Sequence, residues 1–101
     1  MAGQSWSINI VPASGGSGVQ FNPDVFGTAP GSPLQAQKGD LVSWNNQTDN
    51  DHTIVVNVTP AQTFTANSWK STDAYLITNA AGTSVTYTCD NNETGTINVV
   101  V

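Results

Sequence analysis

The hydrophobic runs of this chain are short, mostly alternating and rich in β-branched residues, and glycine, proline or asparagine soon cuts each of them off. In SWSINIV, Trp6, Ile8 and Ile10 fall on one side and Ser5, Ser7 and Asn9 on the other, the period of a half-buried strand. LVSWNN, with Val42 and Trp44, then HTIVVNV, DAYLIT, SVTYTC and TGTINVVV repeat the theme, and no segment carries a helical period. PASGGSG and GTAPGSP are breakers, Lys38-Gly39-Asp40 is a turn, and Asn79-Ala80-Ala81-Gly82 joins two strands. QTFTANSW suits strand or loop. About seven or eight short strands at regular spacing imply an all-β Greek-key β-sandwich or open barrel. Trp6 and Trp44 read as core, and packing is the expectation for Trp69 as well.

At 101 residues the chain has the length of one domain, near the small end for folding unaided. Only 9% of its residues are charged, and seven acidic ones against Lys38 and Lys70 give a net charge of −5. A phosphate backbone would meet repulsion there, so nucleic acid is excluded as a partner. No stretch approaches the roughly 18 apolar residues of a membrane helix, so no membrane insertion is expected. Met1 and Ala2 read as a start added when a leader was removed, which makes the expected location periplasmic or secreted. With one cysteine, no internal disulfide is available. Asn46, Asn57 and Asn92 each begin an Asn-x-Thr match, a pattern expected by chance in so Asn- and Thr-rich a chain.

The single His and the single Cys each stand at a strand–loop boundary: His52 opens HTIVV, and Cys89 closes SVTYT just before DNNETG. Around them run Gly39-Asp40-Leu41-Val42-Ser43-Trp44-Asn45-Asn46 with His52-Thr53-Ile54-Val55, and Thr86-Tyr87-Thr88-Cys89 with Gly95-Thr96-Ile97-Asn98-Val99-Val100. In these motifs the chain resembles the cupredoxins, the blue copper proteins, from Leu34 onward and more loosely in the first strand. The resemblance implies one cupredoxin-like domain over residues 1–101, with copper as cofactor, one-electron transfer as function and no enzymatic activity. It also implies His52 and Cys89 as ligands, with Trp44 and Tyr87 packed behind them to keep water out. The acidic surface would suit a basic redox partner protein of a monomeric carrier.

The ligand set departs from the family. The second histidine position falls on Asn92, and the only methionine is Met1, so the second His and the axial Met are both missing. Three readings stay open. Copper binds an altered site through His52 and Cys89, with Glu93, Asp90 or the Asn92 side-chain oxygen completing the set. Alternatively the fold is a metal-free binding or structural module that has lost its copper ligands. In the third, the same donors hold zinc with a water. Taken singly, a lone cysteine in a β protein is ordinarily a small buried hydrophobe, and Asp90 and Glu93 are ordinary turn residues. Both unique residues at matching positions weigh against coincidence. A Cys–His nucleophile would further need an orienting group and an oxyanion hole, and no pattern supplies them.

Overall fold

The computed structural model describes residues 3–13 and 18–101. Met1 and Ala2, expected above to be an added start, and the middle of the PASGGSG breaker lie outside the described residues. Nine strands and no helix occur among those described: β1 (Ser5–Pro12), β2 (Val19–Pro23), β3 (Leu34–Gln37), β4 (Leu41–Asn46), β5 (His52–Val56), β6 (Gln62–Ala66), β7 (Tyr75–Leu76), β8 (Ser84–Cys89) and β9 (Glu93–Val100). They form two mixed sheets, ordered β2-β1-β4-β7 and β3-β9-β8-β5-β6. β1 runs parallel to β4 and β3 parallel to β9, while every other neighbouring pair is antiparallel.

Alternation decides which side chains meet. Ile8, Ile10, Val42 and Trp44 from the first sheet and Ile54, Val56, Val85, Tyr87, Ile97 and Val99 from the second are buried in one core. Edge-on aromatic contacts bridge the sheets: Tyr87 meets Phe21 with ring centres 4.9 Å apart and Trp44 at 5.1 Å. Phe64 extends the chain of rings from Trp44 to Tyr75. Gly95, opposite Tyr87 in the register, leaves room for that ring; a Cβ there would overlap the phenol. The Lys38-Gly39-Asp40 turn forms with Gly39 at φ 94°. Its Asp40 is buried and accepts from the backbone N–H of Gln4 and Gln37 and from the Trp6 indole at 2.8 Å.

The structure revises several expectations. Nine strands stand where seven or eight were expected, because QTFTA is a true strand, while the strand expected over DAYLIT is only Tyr75–Leu76. β6 and β7 are sheet edges, each supported on one side only, which leaves β6 with a weak alternation and β7 short. Trp6 is half-buried rather than core, its indole N–H serving Asp40. Trp69 does not pack inward: it is 63% exposed, because the reversal at 67–70 holds it at φ 60° with its indole N–H donating to Asp49 Oδ1 at 2.9 Å. Asn46, one of the three Asn-x-Thr asparagines, is wholly buried and bonded to the carbonyls of Asn50 and Ala66.

Candidate metal centre

His52 is the first residue of β5 and Cys89 the last of β8, and these strands pair antiparallel with Ile54 opposite Cys89. Antiparallel pairing therefore carries the imidazole and the thiol, 37 residues apart in sequence, to one end of the same sheet. Asp90 follows Cys89 into a turn whose central residues, Asp90 and Asn91, are left-handed at φ 53° and 57°, a conformation Asp and Asn tolerate. The Asn92 N–H closes that turn on the Cys89 carbonyl at 2.9 Å. Two further bonds tie Asp90 to β5: its N–H donates to the Thr53 carbonyl at 2.9 Å, and its Oδ1 accepts from the Thr53 N–H at 2.8 Å. The other carboxylate oxygen is thereby aimed at His52, 2.6 Å from Nδ1. Cys89 Sγ donates to that same oxygen at 3.7 Å. Donor atoms of His52, Cys89 and Asp90 all lie within 4.8 Å of one another.

The surroundings fix the orientation of each donor. His52 Nε2 is 3.0 Å from Thr48 Oγ1, so both ring nitrogens have partners and the ring cannot turn without losing one. Thr48 is itself buried and held by Asn46 Oδ1 at 2.7 Å. Burial pushes the Cys89 thiol up to about 12, and the charges of Asp90 and Glu93 and the Asp90 hydrogen bond push the same way. Desolvation raises the Asp90 carboxyl too, but the His52 and Thr53 hydrogen bonds, the charge attraction of His52 and the Cys89 hydrogen bond outweigh it and leave its pKa lowered. The result is nitrogen, sulfur and oxygen donors around a protonated thiol under a negative field. A cation entering it would meet a carboxylate and lower the cost of ionising the thiol.

The remaining candidates share the cavity over this cluster, about 450 Å³ in volume, whose wall includes Thr48, His52, Asp90, Asn92 and Glu93. Asn92 is exposed there. Glu93 faces Cys89 across the hairpin, and its Oε2 accepts from the Val19 N–H at 3.0 Å, which fastens the start of β2 to β9. Thr48 escaped notice in the sequence, where only its spacing of four before His52 could have marked it. The sequence offers Asp90 as one oxygen donor among three, and its two bonds to Thr53 are what set it apart. Comparison with protein-family models, with curated proteins and with solved structures finds no match to this chain.

Proposed function

We propose that the chain is a copper-binding, cupredoxin-like protein with an altered site, serving one-electron transfer with a basic partner protein. The observation that carries this reading is the convergence of His52, Cys89 and Asp90 within 4.8 Å at one end of the second sheet. The parallel β1–β4 and β3–β9 pairs, joined to antiparallel neighbours, support a Greek-key frame of the cupredoxin kind.

The donor set suits an altered site and no ordinary one: an imidazole, a thiol and a carboxylate converge, while the chain contains no second histidine. Copper held there would supply one-electron redox chemistry, with the oxygen donor favouring its oxidised state. The protein's own part is to orient and to dehydrate. Thr48 holds the imidazole, Cys89 surrenders its proton to bind as thiolate, and Trp44 and Tyr87, both essentially fully buried, keep water from the sulfur side. Glu93 and Asn92 stand on the cavity wall as further oxygen donors.

One observation favours a second reading, a metal-free binding or structural module. Asp90 Oδ2 already joins His52 and Cys89, closing the hydrogen-bond network without an ion. Anaerobic titration of the reduced protein with Cu(II) separates the two. A thiolate-to-copper charge-transfer band that vanishes in Cys89→Ser is the expected result; no band and no tight copper by calorimetry leaves the metal-free module. An upward shift in melting temperature with zinc and no copper band would assign the donors to zinc.

A further inference from the structure

A second concave site lies at the other ends of the strands that hold the metal centre. Asn57 follows β5 and Ser84 opens β8, and both line a groove of about 830 Å³ where the two sheets part, between the edge strands β6 and β7. Five residues of extended chain separate His52 from Asn57, about 17 Å, so the groove is not part of the metal cavity. Phe64, half-buried, and the exposed Leu76 offer it apolar surface, with the buried Tyr75 ring behind. Phe64 is itself braced by Trp44 and Tyr75.

The polar groups along this groove are held in half-committed states. Tyr75 donates its hydroxyl to Asn79 Oδ1 at 3.1 Å, which leaves the Asn79 Nδ2 hydrogens to be offered. Asn57 donates through Nδ2 to Thr86 Oγ1 at 3.1 Å, and Gln62 through Nε2 to the Pro60 carbonyl at 3.2 Å, which leaves their two side-chain oxygens as acceptors. Donors and acceptors fixed beside an aromatic surface are what a ligand with many hydroxyl groups satisfies, since each hydroxyl both gives and receives. Among the described residues that line the groove none is charged, so an ionic ligand would find no counter-charge.

We propose that this groove binds a neutral saccharide, with C–H groups against Phe64 and hydroxyls on Asn57, Gln62 and Asn79. The test uses the whole isotope-labelled protein, followed by amide and side-chain NMR during titration with maltohexaose, cellohexaose and chitohexaose into the millimolar range. Saturable shifts with one of them, centred on Phe64, Leu76 and the side-chain amides of Asn57, Gln62 and Asn79, are expected. Gln62→Ala and Asn57→Ala change exposed side chains and should keep the folded spectrum while weakening that saccharide tenfold or more. No saturable shift with any of the three, shifts centred elsewhere, or affinity unchanged in both variants would overturn the assignment. Saturation of the groove by an uncharged extended peptide in place of all three sugars would overturn it as well.

Discussion

The Cys89 thiol stands at about 12 where an ordinary one lies at 9.0, so at any pH below 9 its thiolate population is about a thousandfold smaller. At pH 8 that means about one molecule in ten thousand, against about one in ten for an unperturbed thiol. Since the thiolate is the nucleophile, alkylation by iodoacetamide should be slower by about that thousandfold, and complete burial of Cys89 adds to the protection. The urea-unfolded chain supplies the reference rate, and circular dichroism at each pH shows that the fold persists. The rate in the folded protein should climb about tenfold per pH unit from 8 upward without levelling near 9. Asp90→Asn removes the nearest negative charge and a hydrogen bond from the thiol and should move the whole profile to lower pH. Reaction at the unfolded rate near pH 8, or an Asp90→Asn profile that does not move, would refute the burial-and-charge account. If copper occupies the site, the same physics should make its affinity rise about tenfold per pH unit while the thiol is protonated, because binding as thiolate releases a proton.

Other outcomes follow from single contacts. Gly95→Ala puts a methyl into the Tyr87 ring and should cost about 2 kcal/mol or more in urea unfolding. Asp40 and Asp90 both sit below the usual carboxyl value of 3.8, so the stability they confer is present above pH 4 and lost as pH falls through their folded values. In Asp40→Asn the acid limb of the stability profile should flatten, with an overall loss of about 1 to 3 kcal/mol as three part-buried hydrogen bonds lose a charged acceptor. Trp69→Gly relieves a left-handed backbone but gives up an exposed bond to Asp49, so unfolding free energy should change by less than about 1 kcal/mol; a larger loss would mean the indole packs more than its exposure indicates. Glu93→Gln should shift the colour of a copper adduct if the carboxylate coordinates, and leave it unchanged if Glu93 serves only the Val19 N–H.

The central strands could be read from sequence because their side chains obey one rule along their whole length. Ile8 and Ile10, Val42 and Trp44, Tyr87 and Cys89 alternate with polar neighbours since one face of each strand meets the core. That rule fades at an edge. In β6 only Phe64 and Ala66 turn inward, so its period does not separate it from loop, and in DAYLIT the strand expected from sequence shrinks to the two residues of β7. Trp69 illustrates the opposite failure, since composition alone favours burying an indole while a local reversal fixed by Asp49 keeps this one outside. The meeting of His52 and Cys89 was expected from a resemblance, but the part of Asp90 depends on a left-handed turn and two bonds to Thr53 that no spacing in the sequence encodes.

That turn is also what gives the site its chemistry. With Asp90 left-handed, one carboxylate oxygen caps the β5 backbone and the other faces both His52 and Cys89. A single side chain thus keeps the imidazole paired, adds to the burial that holds the thiol protonated and leaves negative charge at the cavity mouth. Asp90→Ala should therefore uncouple effects that a purely structural pair would keep together. The thiol becomes easier to ionise as its negative neighbour leaves, yet the cluster loses an oxygen donor and the anchor of His52. If copper occupies the site, the variant should alkylate faster but bind the ion at least tenfold more weakly. Faster alkylation with undiminished copper binding would place the third donor elsewhere in the cavity, on Glu93 or Asn92.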